Sequence, residues 1–164
     1  MTTSPSQPNP LQPGEGRKIW VLTDLVAFKA LAQDTNGAYS LFETQTPARS
    51  GAPPHIQRNE DEAFFVLEGT YTFLLGDKQV EAQAGSFVFA PRGTPHAFTN
   101  SGETPARMLI LASPGGNHER FFLDLGVPVD DPSVPLAVES QPDVETIIRI
   151  AHKYGIEILP PPGA

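Results

Sequence analysis

The chain contains no cysteine. That absence rules out disulfides and thiolate metal sites, so any metal must be held by nitrogen and oxygen donors. Cations are also scarce. Eleven Lys and Arg face nineteen Asp and Glu, a net charge of −8. An acidic surface repels phosphate backbones, which argues against a nucleic-acid partner. No apolar run approaches the ~18 residues that a membrane-crossing helix needs. The opening "MTTSPSQPNPLQPGEG" has no apolar centre of the kind a secretory signal carries. The expectation is a soluble, cytoplasmic protein with no membrane partner.

What is present points to β-structure. Residues 1–16 carry four prolines and few bulky apolar side chains, which reads as a flexible arm. Residues 17–160 form one domain in this reading. The type of "RKIWVLTDLVAFKAL" is left open by its pattern. From "AYSLFETQ" onward, short β-type runs follow in quick succession: "AFFVLEG", "TYTFLLGD", "KQVEAQAG", "SFVFAPRG", "PHAFTN" and "ARMLILASP". Each is bounded by turn residues, and the spacing leaves no room for intervening helices. The pattern is that of a sandwich or barrel, at about 38–113. The end differs. Val144, Ile147, Ile148 and Ala151 recur at i, i+3, i+4 and i+7 after Pro142 and before Gly155, which predicts an amphipathic helix at about 142–154. "NHERFFLDLG" predicts a shorter helix at 117–126, closed by its glycine, within a helical C-terminal extension at about 117–155.

The chemistry gathers in two spaced patterns. The first is His55-x-Gln57-x4-Glu62-x6-Gly69; the second, after fifteen intervening residues, is Gly85-x5-Pro91-x-Gly93-x2-His96-x3-Asn100. On a strand, His55 and Gln57 share one face. A turn through "RNED" allows Glu62 to face back toward them, and His96 opens a further strand. Buried, hydrogen-bonded core histidines are the alternative reading of His55 and His96. Glu60 and Asp61 are expected to be solvated turn residues, because Glu62 keeps the spacing to Gly69. His118 and His152, outside the patterns, read as surface residues.

These patterns resemble the paired motifs of the cupin superfamily, whose first motif runs G-x5-H-x-H-x3,4-E-x6-G. The second motif matches at every fixed position. The first departs twice: Gln57 stands where a histidine is usual, and Gly51 lies only three residues clear of His55. The flanks "PGGNHERFF" and "YGIEILPPP" resemble monocupins of the quercetin 2,3-dioxygenase-like group. The resemblance implies an all-β, double-stranded β-helix (jelly-roll barrel) with a C-terminal amphipathic helix. It also implies one divalent metal ion (Fe, Mn, Ni or Zn) on His55, Gln57, Glu62 and His96, with Glu62 as the catalytic group. Gln57 itself has three readings: metal ligand, hydrogen-bond donor behind the ligands, or barrel filler. As a ligand it offers a harder oxygen donor, which weakens the site and tilts it toward Mn(II) or Fe(II).

Strand phase places Phe64 and Phe98 inward; Tyr71 and Phe73 share a face, as do Phe87 and Phe89, and Met108 and Ile110. Phe64, Tyr71, Phe73, Phe98, Met108 and Ile110 are the candidate lining of an apolar substrate pocket. The functional expectation is a dioxygenase taking O2 and a small aromatic or enediol, flavonol-like substrate. The alternatives are a non-oxidative lyase or isomerase, and an inactive small-molecule-binding cupin. Because cupins commonly pair, a homodimer is expected.

Overall fold

The computed structural model describes residues 9–161. Its strands are β1 (Lys18–Val21), β2 (Asp24–Ala30), β3 (Ser40–Thr46), β4 (Gly51–Gln57), β5 (Asp61–Glu68) and β6 (Thr70–Leu75). They continue with β7 (Lys78–Gln83), β8 (Phe87–Ala90), β9 (His96–Asn100) and β10 (Ala106–Ser113). Helix α1 (Asn117–Leu125), the short β11 (Val127–Pro128), a 3-10 turn at Val138–Ser140, α2 (Val144–Lys153) and β12 (Ile156–Ile158) complete the chain. Two antiparallel sheets result, ordered β11-β1-β2-β3-β10-β5-β8 and β12-β4-β9-β6-β7. No helix among the described residues is long and apolar enough to cross a membrane.

Alternation decides which side chains enter the core. Along β10 the buried residues are Ala106, Met108, Ile110 and Ala112; along β5 they are Glu62, Phe64 and Val66. Polar Glu62 therefore continues an apolar stripe, and so does His96 on β9, whereas at the end of β4 His55, Ile56 and Gln57 are all buried in succession. Gly51, displaced from its usual motif position, opens β4 where a Cβ would overlap the Phe98 carbonyl. Glycine lets β4 lie close along β9 there, and the same pairing sets His55 opposite His96.

The segment whose type was left open folds as β1 and β2, joined by a tight turn at Leu22 and Thr23 and paired onto β3. The sheet thus starts well before residue 38. Of the N-terminal arm, residues 1–8 lie outside the described residues. Residues 9–16 are not wholly free, since the Glu15 carbonyl accepts a hydrogen bond from Lys29 Nζ at 2.7 Å.

Phe87 and Phe89 do share a face, but it points outward. β8 pairs with β5 so that Val88 lies beside Phe64 and Ala90 beside Glu62. Cross-strand partners point the same way. Val88 and Ala90 are therefore buried, leaving Phe87 and Phe89 exposed.

α2 begins two residues later than Pro142, with Asp143 as its N-cap: Thr146 N–H donates to Asp143 Oδ1 at 2.7 Å. Ala151 is buried, and Ile147 and Ile150 pack against the core, whereas Val144 and Ile148 stay exposed. Asp143→Ala removes the cap and is expected to lower stability, read as a fall in the urea midpoint; an unchanged midpoint would show that the cap does not hold α2 in place.

Candidate metal centre

Four neighbouring strand positions and one helix build the site. His55 Nδ1–H donates to the Pro53 carbonyl at 2.8 Å, and His96 Nδ1–H donates to the Thr94 carbonyl at 2.9 Å. Both rings are thus held by the backbone two residues upstream, which leaves each Nε2 as the free ring nitrogen. Such outer hydrogen bonds fix tautomer and orientation in metal-binding histidines. The two rings lie 4.3 Å apart, centroid to centroid. His96 Nε2 sits 2.6 Å from Glu62 Oε2, and His55 Nε2 sits 3.7 Å from the same oxygen.

Glu62 and His96 are both buried. Burial pushes the Glu62 carboxyl up, but the imidazoles of His55 and His96 beside it, the latter within hydrogen-bond distance, outweigh that and hold it well below the usual range. Burial likewise lowers His96, and its bond to Glu62 more than restores it, leaving a net rise. One ligand atom from each of His55, Glu62 and His96 lies within 4.8 Å of the others. Donors bonded to one divalent ion at about 2.0–2.2 Å lie up to ~4.4 Å apart, so these three fit a single ion with little movement.

Gln57 is buried beside them. Its Nε2 donates to His118 Nδ1 at 2.9 Å, while its Oε1 has no hydrogen-bond partner. His118 is the residue that sequence reasoning misplaced. It is buried, not on the surface, ringed by Phe42, Phe121 and Phe122. Its Nδ1 lies 3.7 Å from Glu62 Oε1. The reason is the docking of α1, whose buried residues His118, Phe121, Phe122 and Leu125 form one i, i+3, i+4, i+7 stripe. That stripe was present in the sequence, with the histidine on it. His152, on α2, is exposed.

Glu60 is likewise buried rather than solvated, and neither of its oxygens has a hydrogen-bond partner. It lies immediately before β5, two residues from Glu62. Burial, reinforced by the nearby Glu62 charge, raises its carboxyl to about 6. Asp61 remains at the surface and pairs with Arg92 at 3.1 Å.

A cavity of about 110 Å³ adjoins the site, with His55, Gln57, Glu62 and His118 in its wall. Of the six candidate pocket residues, Phe98 and Ile110 line it. Phe64, Tyr71, Phe73 and Met108 do not; they are fully buried core. Phe64 lies 5.1 Å from Phe73, and Tyr71 lies 5.8 Å from Phe98, so these rings fill space against one another. Asp24 and Thr44 also border the cavity, each with a buried oxygen that has no partner. Nothing in the pattern of residues 17–31 had marked Asp24.

Residues 41–112 match the family model described as a cupin domain. That stretch, 72 of the 164 residues, carries a cupin domain. It is 30% identical over 80 residues to an uncharacterised protein of Methanocaldococcus jannaschii, a match covering 49% of this chain and 64% of that one. It is 24% identical over 123 residues to the quercetin 2,3-dioxygenase of Bacillus subtilis, covering 75% of this chain and 36% of that enzyme. The matches thus span less than two thirds of these relatives' own length. Among solved structures, an RmlC-like cupin from Shewanella frigidimarina superposes with TM-score 0.56 at 16% identity, over 67% of this chain and 95% of that one. KdgF from Halomonas gives 0.54 at 16% identity, over 59% and 84%. At such identities these two speak for the fold.

Proposed function

We propose that this protein is a metal-dependent dioxygenase acting on a small, single-ring phenol or enediol. One observation carries the metal. With both Nδ1 atoms donating to carbonyls, His96 Nε2 faces the Glu62 carboxylate at 2.6 Å. A cation must lie between them at that distance, a proton when no ion is bound, and the convergence of His55 as a third donor favours a divalent ion in the proton's place. Two imidazoles and one carboxylate match the ligand set of non-haem iron oxygenases, and the likeness to a quercetin dioxygenase points the same way.

Size narrows the substrate. A dry cavity of ~150 Å³ holds one benzene ring, and drug-sized ligands occupy ~300–1,000 Å³. At about 110 Å³ this cavity suits one ring better than a three-ring flavonol. An ion held by His55, Glu62 and His96 would supply a Lewis-acidic, redox-capable centre for enediol oxygens and O2. Both oxygen atoms enter the product and the substrate supplies all the electrons, so no further reductant is required. Phe98 and Ile110 pack on the ring and keep water from it. His55 and His96 stay fixed by their carbonyl bonds, and Glu62 supplies the negative charge that holds the ion.

The test is O2 uptake by protein reconstituted with Fe(II), Mn(II) or Ni(II) against single-ring catechols, enediols and β-diketones. Uptake with at least one of them is expected; none across the panel would sink the oxygenase reading.

Asp24 favours a second reading. Burial raises its carboxyl to about 7, an acidity suited to proton transfer near neutral pH. That suits a lyase or isomerase in which the ion polarises a carbonyl. Anaerobic turnover with redox-inert Zn(II), lost in Asp24→Asn, is what this reading requires.

A further inference from the structure

The first motif lacks its second histidine, yet an imidazole from outside both motifs reaches the same corner of the site. We infer that His118 on α1 sets the orientation of the Gln57 amide, so that Gln57 presents its carbonyl oxygen, not its NH2 group, to the metal. This rests on the metal reading above and goes beyond it. An amide at position 57 has two faces of opposite chemistry. Turned one way it offers an oxygen donor; turned the other way it points N–H groups at a cation. Neither His55 nor Glu62 selects between these, and Ile56 next to Gln57 has no polar side chain. His118 does select. Its Nδ1 lies 2.9 Å from Gln57 Nε2 and accepts from it, while Oε1 is left buried and without a protein partner. A buried carbonyl without a partner is costly, and a cation beside it removes that cost.

The selector is itself held. Asn117 Nδ2 donates to the Tyr154 carbonyl at 2.6 Å, and Glu119 Oε2 accepts from Ala32 N–H at 2.8 Å and Ser40 Oγ at 2.6 Å. Both neighbours of His118 are therefore tied to other elements. Phe122, 4.4 Å from the imidazole, and Phe42, 5.5 Å from it, restrict the ring further. His118 is a positioning residue, and through it the helical extension takes part in building the metal site.

The inference is tested by titrating metal-free protein with Mn(II), following bound ion by electron paramagnetic resonance. Wild type is compared with His118→Ala, His118→Leu, His118→Asn, Gln57→Ala and His118→Ala/Gln57→Ala, each checked for folding by circular dichroism. Outer partners of metal ligands are worth about 10–100-fold in affinity, so His118→Ala is expected to bind Mn(II) at least about tenfold more weakly. His118→Leu, which keeps the bulk, is expected to bind as weakly as alanine. His118→Asn, whose oxygen can accept from the amide, is expected to recover most of the affinity. The double variant is expected to be no weaker than Gln57→Ala alone, since the two residues act as one.

Unchanged affinity in His118→Ala, rescue by leucine, or multiplying losses in the double variant would each overturn the inference. Loading with Cu(II) checks whether His118 binds directly. A nitrogen lost from the hyperfine pattern in His118→Asn would make it a ligand and overturn its positioning role; an unchanged pattern supports that role. Wild type that binds no metal sinks the metal reading itself and this inference with it.

Discussion

Elemental analysis of purified His96→Ala is expected to find no divalent metal, against one per chain in wild type. His96 supplies one of three converging donors, at 2.6 Å from the carboxylate. Losing a ligand should exceed the about 10–100-fold effect of losing an outer partner. The barrel should survive. β9 is held to β4 and β6 by backbone pairing that the side chain does not supply. There is still a penalty, because removing one partner of a buried charged pair costs about 3–5 kcal/mol. His96→Gln is the control, since its amide can still donate to Glu62 while the imidazole is gone. Both variants are expected to show wild-type circular dichroism and no bound metal. One ion per chain in either variant would refute the ligand assignment.

Asp24→Asn is expected to stabilise the protein, and more so as pH rises. The Asp24 carboxyl, at about 7 in the folded protein against an ordinary 3.8, is raised by burial, with hydrogen bonds from Thr46 and Thr23 opposing. Its protonated form is therefore favoured in the fold. That contribution is fully present below pH 3.8 and is lost as pH climbs through about 7. Between pH 5 and pH 8 the loss is about two pH units' worth, about 3 kcal/mol at 1.36 kcal/mol each. Asparagine does not titrate, and it keeps an oxygen for the Thr46 hydroxyl, which lies 3.0 Å from Asp24 Oδ2. Urea unfolding of both proteins at the two pH values isolates this group, because other titrations cancel in the difference. A stability gap that stays constant between pH 5 and pH 8 would show that Asp24 ionises normally.

The sequence by itself determined the β architecture, both motifs and the presence of both helices. Each of these is written in local periodicity. Alternation along β5 and β10 marks the inward stripe, and the spacing from Glu62 to Gly69 picks the carboxylate that meets His55 and His96. A strand's own pattern shows which residues share a face, but not which way that face turns. Phe87 and Phe89 are the example: their exposure follows from the register of β8 on β5, a contact between separate strands. His118 was legible as part of the stripe that includes Phe121, Phe122 and Leu125, yet only the docking of α1 onto the barrel made it a partner of Gln57. Asp24 became a buried carboxyl because the β1–β2 hairpin pairs onto β3 and brings it beside Thr46. Long-range packing decided these three, since it settles which locally defined faces meet and how much water remains between them.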